Sequence, residues 1–116
     1  MTLESNKFSQ VHARVGQEAE YTVTGDGNEK LIEVPVIGAA SVQIDVDVPA
    51  GATATWHVDS CTKSGQSSGD ELKSGTFTAG QTTHIPVYTW AGNYLLVGLT
   101  SSAGDDLTVT LSVNPL

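Results

Sequence analysis

The chain has a single cysteine, Cys61, in 116 residues, so no internal disulfide can form. It has five Lys and Arg against thirteen acids, a net charge of −8. A nucleic-acid partner requires a positive surface that displaces counterions, and an anionic membrane requires the same. The composition therefore argues against both. No stretch approaches the ~20 consecutive apolar residues of a membrane-spanning helix. Met1 to Gln10 lacks the apolar core of a secretory signal, so synthesis and folding in a cytoplasm are expected. Residues that favour helix are few, with one Met among them, and no segment carries a helical period of useful length.

Threonine, serine, valine and glycine take the place of what is missing. Branching at Cβ makes Thr and Val suit a pleated surface. Twelve glycines and four prolines supply turns. Residues 1–17 are polar, without clear period, and read as an extended N-terminal arm. Lys7 and Arg14 against Glu4 give this arm +1, while three lysines against twelve acids leave residues 18–116 at −9.

Alternation begins at Glu18 to Thr24, with Ala19, Tyr21 and Val23 on one face. Asp26-Gly27-Asn28 is a turn signal. Lys30 to Ile37 is too continuously apolar for a strand with one wet face, and Pro35 suggests an edge or a bulge there. Ser41 to Val48 alternates cleanly, with Val42, Ile44, Val46 and Val48 opposite Ser41, Gln43, Asp45 and Asp47. Thr53 to Asp59 puts Ala54, Trp56 and Val58 inward and Thr55, His57 and Asp59 outward.

Ser60 to Asp70 is the longest polar stretch and reads as a flexible surface loop. Glu71 to Thr78 changes phase across Gly75, where a bulge is expected. Thr82 to Tyr88 carries Pro86, an edge signal. Tyr94 to Leu99 is apolar on both faces, hence central. Asp106 to Val113 closes the domain. About eight short strands separated by Gly/Pro turns predict an all-β fold, a two-sheet antiparallel sandwich or jelly roll. Its core faces are led by Val42, Ile44, Val46, Trp56, Val58, Leu96, Leu107, Val109 and Leu111.

Residues that could carry chemistry are sparse. The run Val48 to Trp56 resembles a strand pair of blue-copper proteins, but those sites need two His and a Cys, with a late His and Met close after the Cys. Here the next His after Cys61 is His84, and Met1 is the only Met. His57 and Cys61 stand four residues apart on a strand end, and the neighbouring Asp59 would raise the thiol's pKa rather than activate it. No Gly-x-Ser-x-Gly elbow occurs. Asp45 and Asp47 share a strand face about 7 Å apart. Asp26, Asn28 and Glu29 share one turn, and Asp105 and Asp106 another. None has EF-hand spacing, and these acids read mainly as solvated side chains, with Ca²⁺ or partner contacts the lesser reading. No catalytic residue, no metal ligand and no cofactor is assigned. Candidate partner-binding residues are Lys7, Phe8, Val11, His12 and Arg14 of the arm, with Tyr88 and Trp90, whose amphipathic rings suit an interface.

Two family resemblances add to this reading. Ala91-Gly92-Asn93-Tyr94-Leu95-Leu96-Val97, followed by Leu107-Thr108-Val109-Thr110-Leu111, is similar to the last two strands of bacterial secreted β-sandwich accessory domains appended to peptidases, whose acidic strand motif is absent here. Taken whole, a short acidic β-sandwich with a polar arm, one free cysteine and no signal resembles the decoration or cement proteins of tailed-phage heads. It does so without a shared motif, so no residue is carried over. That resemblance implies a non-catalytic virion protein that stabilises the capsid by binding the outer surface of the major capsid protein or another shell protein. It also implies a homo-oligomer, often a trimer. The alternative expectation is a secreted carbohydrate- or surface-binding module.

Overall fold

A computed structural model of the chain describes residues 15–116 in full and, before them, the backbone of two short strands, β1 (Thr2–Leu3) and β2 (Phe8–Gln10). Eight further strands follow: β3 (Glu18–Val23), β4 (Lys30–Pro35), β5 (Ala39–Asp47), β6 (Ala54–Cys61), β7 (Asp70–Thr76), β8 (Thr82–Val87), β9 (Tyr94–Ser101) and β10 (Leu107–Pro115). The described residues contain no helix. The strands form two sheets, ordered β1-β3-β10-β5-β8 and β2-β4-β9-β6-β7.

The pairing of the eight long strands has a simple logic. β3 pairs with β10, β4 with β9, β5 with β8 and β6 with β7, all antiparallel. The chain is thus one long hairpin, with its tip between β6 and β7, rolled into two layers. This is jelly-roll order, within the all-β sandwich class expected from the alternation. The two short strands pair parallel with the outer strands, β1 with β3 and β2 with β4.

Alternation decides which side chains meet between the layers. Val42, Ile44, Val46 and Val48 enter from β5 and its end, and Val109, Leu111 and Val113 from β10. Ile32, Val34, Val58, Leu95, Val97 and Leu99 enter from the opposing sheet. Each fully buried Leu, Ile or Val contributes roughly 1.5–3 kcal/mol. Trp56 packs on the edge of this core, its ring centroid 6.4 Å from that of Phe77.

Three sequence expectations need correction. Leu96 does not face the main core: on β9 it alternates with Leu95 and Val97, so it lies on the outer face, packed with Leu31 and Cys61. The β7 irregularity falls at Leu72, not Gly75, because Val58 pairs with Lys73 while Asp59 pairs with Glu71. Gly75 instead makes room for Trp56, whose indole would stand 2.9 Å from an added Cβ. Finally, Ser60 and Cys61 are not loop residues; they continue β6 and are buried. The Pro86 edge signal does hold, since β8 is an outer strand.

Candidate functional site

The outer face of the β2-β4-β9-β6-β7 sheet carries the most chemistry among the described residues. On β6, His57, Asp59 and Cys61 alternate onto this face. Across β9 they meet Gly98, Leu96 and Tyr94 in register. On β4, Leu31 and Glu33 continue the same rows. Sequence alternation put His57 and Asp59 outward, and they are, but this outer face is not open to solvent at either residue. His57 is half-buried, and Asp59 is only 5% exposed.

His57 sits between two carboxylates. Its Nδ1 lies 2.9 Å from Asp59 Oδ1, and its Nε2 lies 2.8 Å from Glu29 Oε2. Partial burial disfavours the imidazolium, but the hydrogen bonds and charges of Asp59 and Glu29 outweigh it and hold the His57 pKa above its ordinary value. The ring lies directly over Gly98, where an added Cβ would fall 2.1 Å from Nε2. A glycine inside a strand often marks such a close approach.

Glu71 completes the group. The β7 bulge leaves Leu72 unpaired and sets Glu71 opposite Asp59. One ligand-type atom from each of His57, Asp59 and Glu71 falls within 4.8 Å of the others. These three could hold a metal ion, a site for which the sequence reading assigned no ligand. The signals were present in the sequence: the i, i+2 spacing of His57 and Asp59 on one strand, and Gly98 within an apolar strand. What was missing was the pairing that brings Glu29 and Glu71 to them.

Next to this group, Glu33 is buried at 2% exposure. Its carboxylate accepts hydrogen bonds from the Ser64 hydroxyl at 2.8 Å and the Gly65 amide at 2.7 Å. The 62–69 loop is thereby tied down to the sheet rather than left hanging from it. Gly69 donates to Asp59 at 3.3 Å, and the Gln66 side chain accepts from the Thr62 and Lys63 amides. Cys61 lies beneath this loop. Burial first, then the charges of Asp59, Glu33 and Asp70, push its thiol pKa up, the opposite of what a nucleophile needs.

The opposite outer face, on the β1-β3-β10-β5-β8 sheet, is polar along β5 and β10. Asp45 pairs with His84 at 2.6 Å, and the Thr82 hydroxyl donates to Asp47 at 2.6 Å. Asp26, expected as a turn residue with a mainly solvated side chain, accepts from the Asn28 amide at 2.9 Å and pairs at 2.7 Å with Lys30, whose side chain is 1% exposed. Asp105 and Asp106 serve the neighbouring turn. Asp106 accepts from the Gly25 amide, and the Asp105 side chain accepts from the Ser102 hydroxyl.

The residues expected to bind a partner are not brought together as one patch. Lys7, Val11, His12 and Arg14 lie outside the described residues, and Phe8 is placed only as a backbone position in β2, in register with Leu31. Trp90 packs against the main core, whereas Tyr88 is 69% exposed. Tyr88 follows β8 at the end of the sandwich that also holds the β4–β5 turn and the C-terminus. Exposed Ile37 and Leu116 stand at that same end, where the Leu116 amide bonds the Gly38 carbonyl.

A scan against protein-family models gives no match to the chain, and a search of curated proteins gives no significant match.

Proposed function

We propose that this protein is a non-catalytic structural component of a virion, made in the host cytoplasm, which docks on the outer surface of a viral shell and clamps neighbouring shell subunits. The observation that carries the reading is the apolar end of the sandwich. Three of the four large exposed hydrophobics among the described residues, Ile37, Tyr88 and Leu116, stand at one end. Exposed apolar side chains gathered in one region are what an interface core uses. The chain enters β3 at this same end, so Val15 to Gln17, which lead into β3, lie beside it, while the short strands of the arm pair further along, with Thr22–Val23 and Leu31–Glu33.

Chemistry elsewhere supports a passive role. The thiol is buried and its pKa raised, and the histidines with described side chains are engaged by carboxylates. Jelly rolls recur in capsid and lectin domains alike, so the fold suits this reading without selecting it. The carbohydrate-binding alternative calls for coplanar exposed aromatics. Trp56 and Trp90 are turned to the core, which weighs against it.

The test is co-sedimentation of the purified protein with assembled shells of the major capsid protein from the same genome. Deleting residues 1–14 is expected to leave a β-sheet circular-dichroism spectrum and to abolish co-sedimentation. Tyr88→Ala combined with Ile37→Ser should weaken it by about tenfold or more, as hot-spot truncations do. Unchanged binding by both variants overturns the docking mode, and no binding by the intact protein overturns the reading.

A further inference from the structure

We propose that His57, Asp59 and Glu71 form a binding site for one divalent transition-metal ion of the zinc class, with His57 ligating through Nδ1 and Glu29 holding its ring from behind. Four observations converge on it. The three ligand atoms already lie within 4.8 Å of one another. Ligands around a tetrahedral ion at 2.0–2.2 Å stand roughly 3.3 Å apart. Nδ1 and Asp59 Oδ1, now 2.9 Å apart, would open by a few tenths of an ångström to admit the ion, and Glu71, an exposed side chain on an outer strand, would close in.

The histidine is set as metal-bound histidines are. A ligating imidazole usually donates its other N–H to a carboxylate, which fixes the tautomer and raises ligand basicity. Glu29 Oε2 stands 2.8 Å from Nε2 and can accept its N–H, so that an ion at Nδ1 would replace the proton shared there with Asp59 Oδ1. Gly98 beneath the ring removes the Cβ that would otherwise push it out of this position.

The β7 bulge is the third observation. In a register continued without the bulge from Val58–Lys73, Leu72 would face Asp59; with the bulge, Glu71 does. Bulges commonly re-aim a side chain in this way.

Charge is the fourth. Glu29, Asp59 and Glu71 converge on one imidazole, and the nearby lysines are committed elsewhere. Lys30 pairs with Asp26, and Lys73 donates to the Pro86 carbonyl across the open side of the sandwich. Against three carboxylates a protonated His57 supplies one positive charge, whereas a divalent ion on the neutral ring would supply two. One nitrogen and two carboxylates select a borderline transition ion over Ca²⁺ or Mg²⁺, which prefer all-oxygen shells.

The experiment titrates the full chain, stripped with a chelator and then dialysed free of it, with Zn²⁺ by calorimetry at one fixed pH. A parallel Co²⁺ titration is followed by visible absorption. The expected result is one saturable site per chain, with Co²⁺ bands of tetrahedral or five-coordinate intensity. Glu71→Gln, at an exposed position, should keep the fold and lose affinity about tenfold or more. Glu29→Gln should lose about 10–100-fold, as removal of an outer carboxylate does. His84→Gln, on the opposite face, should bind like wild type. The site is overturned by an absence of saturable Zn²⁺ binding, by Glu71→Gln binding with unchanged affinity, or by Ca²⁺ binding more tightly than Zn²⁺. His57→Gln is read only alongside its circular-dichroism spectrum, and Glu71→Gln is the deciding variant.

Discussion

At the scale of single residues, space under a side chain matters as much as its chemistry. His57 keeps both nitrogens on carboxylates only because residue 98 has no Cβ. In Gly98→Ala the new carbon would fall 2.1 Å from Nε2 and 2.7 Å from Cδ2, so the ring must leave and give up its hydrogen bonds. The expected cost is roughly 1–3 kcal/mol, the usual range for inserting a methyl group into a packed site. Urea denaturation should show it as a lower midpoint with unchanged slope. A midpoint equal to wild type would mean that the ring is not held there. Gly92 is tighter still against backbone, since an added Cβ would meet the Cys61 carbonyl oxygen at 2.0 Å.

At the scale of elements, strands with the same alternation end up with different outer faces. β5 exposes Gln43, Asp45 and Asp47 much as its sequence suggests, whereas β6 turns Asp59 into a nearly buried site. The Asp45 carboxyl is pushed up by its partial burial. Hydrogen bonds from Gln43 and His84 and the His84 charge outweigh that and leave its pKa below the ordinary value. A carboxylate with a depressed folded pKa adds stability above its unfolded pKa, at about pH 4, and loses it as pH falls through the folded value. With Asp45 37% exposed, solvent screening limits the effect to about 0.5 kcal/mol or less. Asp45→Asn should therefore show a slightly shallower loss of stability between neutral pH and pH 3 than wild type. An equal or steeper loss would show that the pairing with His84 adds nothing.

At the scale of the whole molecule, the rolled hairpin makes the last strand central. β10 lies between β3 and β5, with Leu111 in register with Ala19 on one side and Ile44 on the other, fully buried. Leu111→Ala is expected to cost about 2–5 kcal/mol, as core leucine truncations do, and to lower the thermal midpoint accordingly. A loss below 1 kcal/mol would contradict the packing at the centre of that sheet. The same roll brings β4 and β6 to either side of β9, so Glu29 meets His57 across a separation of 28 residues.

The sequence by itself determined the fold class, because period-two alternation and Gly/Pro turns are local and each strand carries its own pattern. It determined β5 and β10 almost residue by residue, since one of their faces is apolar and the other polar. It also located β9 as central, because its strand is apolar on both sides. Only the tertiary structure decided which strands pair, and with that everything non-local. It decided that Leu96 belongs to a small outer cluster, that Glu33 is buried under the 62–69 loop, and that the bulge stands at Leu72. The candidate metal group depends on the same decisions. His57 and Asp59 are two residues apart and legible as one face, but Glu29 and Glu71 join them through pairings set by the global order of strands. Strand alternation says which face a side chain takes; strand order alone says what it meets there.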